Sequence, residues 1–518
     1  MPKPVQVSSY TLRDILEGGY VYVDKTRDIY ELIRYSKGAY FLARPRRFGK
    51  SLMISTLYEI FQGNKELFQG LWLYTSDYQW QSYPIIRLDF GRYGVNSAAN
   101  LVQILDYFLE EIAQQHGITL RGFDYQSRFD NLIQQLGRER KVVILVDEYD
   151  KPLIDNLTNL PEAIAMRNIL RNFYGVIKAM DQYLRFVFIT GITKFSKVGV
   201  FSAMNNLDDI TMAPRFATSL GITEEELTHY FQEHLTAFAT ATRTTEAELR
   251  EKMRDGYDGF CFVENCDNVY NPFSTLQLFH HQRFANFWFE TGTPTFLINL
   301  LKENEYPVEQ LEELWLSELS FSTFEIDALL IVPLLFQTGY LTIKGYEAER
   351  QRYLLSYPNT EVKNAFLTHL LSAFSERPRD LNEKHLWQLV DALEAHNLAR
   401  FFTTLDIFFA NVPYDIQLKH EKYYQTLFYL IFKLIGLNID VEVRTNQGRI
   451  DAVVEVTDHI FLFEFKLDGT ANDALEQIKT TEYAQKYQGK GKALTLIGAN
   501  FANAKRKITD WKSDPHTP

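Results

Sequence analysis

Residues 448–466, GRIDAVVEVTDHIFLFEFK, set two strand-forming runs, 450–456 and 460–466, on either side of the polar Thr457-Asp458-His459. Strand formers flanking a short polar turn predict a β-hairpin. With Thr457 and Asp458 as a two-residue loop, Val456 pairs with His459, and counting back along both strands puts Asp451 opposite Glu464. Directly opposed side chains share a face and lie about 5 Å apart at Cβ. Lys466 is two residues beyond Glu464 and falls on the same face, because a strand repeats every second residue. Two carboxylates and an ammonium are therefore expected together at the open end of an otherwise apolar hairpin.

Charges inside FLFEFK need a reason. Phe461, Phe463 and Phe465 mark a buried strand, and an ionised group taken out of water is costly unless it is paired or binds a metal. Hard oxygen ligands suit Mg²⁺ or Mn²⁺, which polarises a phosphate and acidifies a bound water. A neighbouring ammonium offsets negative charge in a phosphoryl transition state. The plainer alternative is a surface hairpin with solvated charges, and the D…ExK spacing alone does not separate the two.

On these residues the segment resembles the PD-(D/E)xK nuclease superfamily, in the branch that bacterial proteins carry fused to an AAA-ATPase-like domain. The resemblance puts Asp451, Glu464 and Lys466 on the family's catalytic positions, with Asp451 and Glu464 as metal ligands. It extends to Glu421, which opens the helix-like EKYYQTLFYLIFKLIG (421–436), and to Gln477 in ALEQIKTTEYAQKY (474–487). Each stands on a helix that contributes a polar site residue in the family. Ile450 occupies the place of the proline in the family's name. By residue type alone, Glu421 and Gln477 read equally well as solvated helix positions.

A second informative region lies near the N-terminus. AYFLA (39–43) reads as a buried strand, RPRRFGKS (44–51) as a loop and LMISTLYEIF (52–61) as a helix. In that setting, loop N–H groups and a helix N-terminus hold phosphates. Arg47, Phe48, Gly49, Lys50 and Ser51 are the expected nucleotide contacts. Gly49 lets the backbone approach, Lys50 reaches the β and γ phosphates, and the Ser51 hydroxyl joins Mg²⁺. Arg44 stands where GxxxxGK[ST] has its first glycine, which puts turnover in question more than binding. KVVILVDE (141–148) is an apolar strand ending in two acids, the pattern of a central parallel strand. Asp147 is expected to hold Mg²⁺ through water, and Glu148 to act on the attacking water as a catalytic group. LRFVFIT (184–190) predicts a further strand, with Thr190 as candidate γ-phosphate sensor. These pieces resemble the AAA-ATPase-like domain of the same branch over residues 10–300, together with YVDKT (22–26), VDEYDKP (146–152) and DGYDGFCF (255–262).

Composition sets outer limits. The 518 residues leave room for several domains, and 46% hydrophobic with 23% charged residues is ordinary for a globular chain. A net charge of −12 gives no general attraction to nucleic acid. From residue 410 onward, however, 14 basic and 14 acidic residues balance, so that region tolerates a polyanion. Lys490, Lys492, Lys505, Arg506 and Lys507 are candidates for phosphate contact, with simple solvation as the alternative. Cys261 and Cys266 make neither a zinc motif nor a secreted disulfide framework. No run approaches the ~18 apolar residues of a membrane span, and the first residues lack a signal peptide's apolar core. A cytoplasmic protein without a membrane partner is expected.

The expected architecture is α/β and multidomain. A P-loop NTPase (AAA-like) core is expected over 1–215, and a helical lid over 216–318, opened by the Thr-x-x-Glu of ITEEEL. A winged-helix-like and helical connector follows over 319–412, and a restriction-endonuclease-like α/β domain over 413–518. The wing strands YLTIKGY and RYLLSY are poor in Lys and Arg, which favours coupling over DNA binding. The expected function is a nucleotide-regulated, metal-dependent nuclease hydrolysing phosphodiester bonds in nucleic acid, DNA more than RNA. ATP and Mg²⁺ (or Mn²⁺) are its expected cofactors, and a homo-oligomer is compatible with it. The alternative is an ATP-dependent switch or scaffold whose nuclease-like domain binds without cutting.

Overall fold

The computed structural model describes residues 2–194, 200–201, 204, 206–288, 295–304, 306–321, 330–410, 421–436, 440–446, 449–480, 487, 491–502, 505 and 507–516. Of residues 295, 421–422, 440–446, 449–451 and 516 it describes the backbone. The chain divides into two compact units, residues 1–293 with 313–362, and residues 294–312 with 363–518.

In the first unit β1 (Gly38–Ala43), β2 (Ile85–Asp89), β3 (Val142–Asp147), β4 (Leu184–Gly191) and the short β5 (Asp208–Asp209) form one sheet, ordered β2-β3-β4-β1-β5. Every neighbouring pair is parallel. Parallel neighbours need crossover connections, and the helices Lys50–Phe61, Ala98–Gln115, Tyr125–Leu136 and Leu160–Ala179 provide them. All residues of β3 and β4 are buried, as their continuous apolar runs require of central strands. Ile54, Leu57 and Phe61 of the first crossover helix share a core with Val143, Leu145, Phe186 and Phe188. Because β4 lies between β1 and β3, the loops leaving these three strands meet at one edge.

Beyond this sheet, Thr223 and Thr245 cap the helices Glu224–Thr242 and Glu246–Tyr257 through reciprocal boxes with Glu226 and Glu248. Each cap contributes about 1 kcal/mol. The helix Ile331–Thr338 leads into β7 (Thr342–Glu347) and β8 (Arg352–Ser356), the helix followed by two short strands expected from sequence. β6 (Leu314–Ser317) adds a third antiparallel strand, in the order β6-β8-β7. Cys261 and Cys266 are joined to each other.

In the second unit β9 (Asp440–Asn446), β10 (Arg449–Glu455), β11 (His459–Leu467), β12 (Ala493–Ala502) and β13 (Lys507–His516) form a sheet ordered β13-β12-β11-β10-β9. β11 and β12 are parallel and the other pairs antiparallel. The helix Ala471–Thr480 supplies the crossover that this parallel pair needs. Alternation along β11 assigns the two faces. Phe463 and Phe465 meet Phe432 and Phe428 of the helix Glu421–Ile435, at centroid distances of 5.6 and 4.7 Å. Ile460 and Leu462 pack with Leu475 and Ile478 of the helix Ala471–Thr480 on the other face. Gly498 permits that second packing, since a Cβ there would lie 2.3 Å from the Ala471 carbonyl oxygen and 2.5 Å from the Leu475 nitrogen. Among the described residues no helix is long and apolar enough to cross a membrane.

Candidate nucleotide and phosphodiester sites

β1 ends at Ala43, and the chain turns through residues 44–49 into the helix Lys50–Phe61. Two residues of the turn are left-handed, Arg47 (φ 65°) and Gly49 (φ 92°). Glycine adopts this conformation without a Cβ penalty, so Gly49 frees the turn that caps the helix. Lys50 is buried, and its ammonium donates to the carbonyls of Arg44 (2.9 Å) and Pro45 (2.8 Å), inside the curl of the loop. Burial lowers its pKa, against the pull of Asp147 and Glu148. Phe48 anchors the loop edge-on to Phe260 and Phe262, at 4.8 and 5.4 Å. The Arg47 guanidinium lies 3.6 Å from the centre of the Phe273 ring.

Arg44, in the place of the first glycine, points its guanidinium into the protein. It donates to the carbonyls of Ala43, Thr211 and Phe216 and lies 4.2 Å over Phe262. Burial pulls its pKa down to about 9, so it stays charged at neutral pH. The side chain ties the base of the loop to the segment after β5.

The acidic end of β3 meets the end of β4. Asp147 accepts a hydrogen bond from the Thr190 hydroxyl at 2.7 Å, and both residues are buried. Glu148 follows with a left-handed backbone (φ 51°), and burial raises its pKa while Lys50 opposes the rise. Asp150 was not singled out in the sequence, yet it is fully buried and accepts from Ile192 N (3.0 Å), Thr193 N (2.6 Å) and the Thr193 hydroxyl (2.6 Å). The Tyr149 hydroxyl adds a bond to the Thr193 carbonyl at 3.1 Å. The segment after β3 is thus stapled to the segment after β4.

Arg47, Gly49, Lys50, Ser51 and Glu148 line one cleft of about 480 Å³, together with Asp150. An apolar pocket of about 130 Å³ adjoins it, sharing Gly49 and Leu52 and adding Phe48, Leu220 and Ile222. The sequence offered no signal for this pocket, because its walls come from segments distant in the chain.

In the second unit the Val456 amide donates to the His459 carbonyl at 2.9 Å, closing the two-residue loop. The register then runs back to Asp451↔Glu464 and Arg449↔Lys466, as counted from the sequence. Glu464 is only 2% exposed. The Lys466 ammonium lies 3.5 Å from a Glu464 carboxylate oxygen and donates to the Gln477 side-chain oxygen. Glu464, Lys466 and Gln477 are therefore brought together on the face that packs the helix Ala471–Thr480. The backbone of Asp451 sits directly across from Glu464, while its side chain, like that of Glu421, lies outside the described residues. The helix that Glu421 opens packs by its phenylalanines on the other face. Among the described residues no cluster of three or more His, Cys, Asp or Glu forms a ready metal cage. The Glu464 carboxylate is a hard oxygen donor of the kind Mg²⁺ and Mn²⁺ take, so the described residue type fits such an ion.

Lys492 pairs with Glu455 at 3.0 Å and donates to the Val456 carbonyl at 2.8 Å. Of the basic residues considered for phosphate contact, it is thus one that also braces the hairpin. Lys490 and Arg506 lie outside the described residues.

Residues 4–201 match the family described as predicted AAA-ATPase, and residues 419–511 match the PD-(D/E)XK nuclease superfamily. The chain belongs to the AAA-ATPase-like proteins with a C-terminal PD-(D/E)XK nuclease superfamily domain. An Azotobacter chroococcum mcd 1 protein described as "Uncharacterized protein in vnfD 5'region" is 38% identical over 523 residues, covering 98% of both chains. No solved structure matches. In this AAA-ATPase-like chain the two matched regions contain the two constellations described above, the loop and acidic strand in the first and the charged hairpin in the second.

Proposed function

We propose that this AAA-ATPase-like protein is a nucleotide-regulated, metal-dependent nuclease acting on DNA or RNA. The observation that carries the reading is the cluster on β11. A buried carboxylate, Glu464, lies beside the Lys466 ammonium, with Gln477 bonded to that ammonium and Asp451 in register across the hairpin. A carboxylate in a phenylalanine-rich strand is costly to keep, and a phosphodiester site gives it a purpose.

In this reading Asp451 and Glu464 hold Mg²⁺ or Mn²⁺, which supplies charge neutralisation at the phosphate and an acidified water. Lys466 holds its ammonium beside the scissile phosphate, Gln477 fixes the lysine's position, and Glu421 adds a further polar group. In the first unit Lys50 exchanges the Arg44 and Pro45 carbonyls for the β and γ phosphates of ATP. Ser51 and Asp147 serve its Mg²⁺, Thr190 senses the γ-phosphate through Asp147, and Glu148 orients the attacking water. The base enters the adjoining apolar pocket. The four-part division at residues 215, 318 and 412, and a cytoplasmic location, belong to the same reading.

A second reading, an ATP-dependent switch whose nuclease-like domain binds without cutting, draws on Arg44 in the place of the loop's first glycine. Nucleic acids incubated with the protein and Mn²⁺, with and without ATP, separate the two. Cutting that Asp451→Ala removes supports the nuclease. ATP-dependent binding of an intact substrate supports the switch.

A further inference from the structure

The sheet of the first unit has a second populated edge, where its strands begin. There Arg34, Arg140, Lys141 and Arg185 line a groove of about 800 Å³. Arg140 and Lys141 immediately precede β3, Arg185 is the second residue of β4, and Arg34 follows the helix Thr26–Ile33 that leads to β1. Against these four cations stand Asp77 in the groove and Glu31, which pairs with Arg34 at 3.1 Å. Four positive less two negative charges leave +2, in a chain whose net charge is −12.

Arg185 gives the groove a built anchor. It is only 8% exposed, and one of its terminal nitrogens donates to the Ile33 carbonyl at 2.8 Å. The other terminal nitrogen is buried without a hydrogen-bond partner among the described residues. The guanidinium lies 5.6 and 5.7 Å from the centres of the Phe61 and Tyr83 rings, and a buried donor left unmade is costly, a cost that an anion in the groove would relieve. Tyr30, Tyr78 and Tyr83 also line the groove, half-buried, so that aromatic rings stand among the cations. Cations that track a backbone, with rings on which bases stack, are the chemistry that holds single-stranded nucleic acid. A lone phosphate would use the guanidinium and leave the rings idle.

We propose that this groove binds single-stranded nucleic acid as a second contact, separate from the charged hairpin of the C-terminal domain. The choice of nucleic acid among polyanions rests on the proposed nuclease function. The test uses the full chain in EDTA, with fluorescence anisotropy of a labelled single-stranded DNA oligonucleotide between about 50 and 200 mM salt. Arg140→Glu/Lys141→Glu alters two exposed side chains, of which Arg140 also donates to the Ser82 carbonyl at 2.8 Å, and a thermal melt checks that the variant is folded. The expected result is at least a tenfold loss of affinity and a salt dependence shallower by about 1.4, two phosphate contacts at about 0.7 each for a single strand. Unchanged affinity and slope overturn the proposal. Heparin binding as tightly as the oligonucleotide and losing affinity equally overturns the nucleic-acid assignment. Loss of oligonucleotide binding in the variant, where wild type with Mn²⁺ cuts nothing, supports the groove and fails the nuclease. Cutting by wild type with unchanged binding by the variant does the reverse.

Discussion

Glu148 stands between opposing influences: burial pushes its carboxyl above the usual range, and Lys50 pulls it back. A carboxyl whose pKa is raised by folding contributes its stability in full below the ordinary value of 4.5 and loses it as pH rises through the folded value. Glu148→Gln removes that loss. The melting temperature of the variant minus that of wild type is therefore predicted to grow from pH 4 to pH 7, and pH-independent spacing of the two melts contradicts the burial. The same variant is predicted to retain ATP while slowing its hydrolysis on the order of a hundredfold, measured by phosphate release. Asp150 makes a different prediction. Asp150→Ala leaves the Ile192 and Thr193 amides without their acceptor and is expected to cost about 3 kcal/mol in denaturant unfolding. Lys50, Asp147, Glu464 and Lys466 were legible because a loop, an acidic strand end or a charge in an apolar run announces them. Asp150 was not, because an aspartate three residues after Asp147 reads as a polar turn until its burial is seen. Arg44 was noticed only as a missing glycine; its service to the Thr211 and Phe216 carbonyls is tertiary and leaves no local mark.

The hairpin of β10 and β11 followed from the period of two and the two-residue loop, and its register came out residue for residue. β1, β3 and β4 were equally plain as apolar runs, and the Thr223 cap as a Thr-x-x-Glu signal. β13 was harder to read. It is polar and contains Pro515, features that an edge strand tolerates and that conceal it in sequence. The seat of the helix Ala471–Thr480 was also hidden, because it depends on the missing side chain of Gly498. Gly498→Val is predicted to cost about 2 kcal/mol and to lift Gln477 from Lys466, so stability in urea and cleavage rate fall together. Wild-type stability in this variant contradicts the close packing.

The two units divide the proposed labour, with the nucleotide cleft in one and the charged hairpin in the other. If occupancy of the first governs the second, Lys50→Ala is predicted to weaken ATP binding at least tenfold by calorimetry and to abolish any effect of ATP on cutting, while cutting without ATP persists. Sequence carried the placement of both candidate sites because each is built around a short local motif. It carried nothing of the adjoining apolar pocket or of the groove at the strand beginnings, which distant segments assemble. The cutting reaction itself is tested by incubating plasmid, single-stranded DNA and RNA with Mn²⁺ and wild type, Asp451→Ala or Lys466→Ala protein. The prediction is cleavage of at least one substrate by wild type and a loss on the order of a hundredfold or more in both variants. No cleavage by wild type, or cleavage that survives both substitutions, contradicts it.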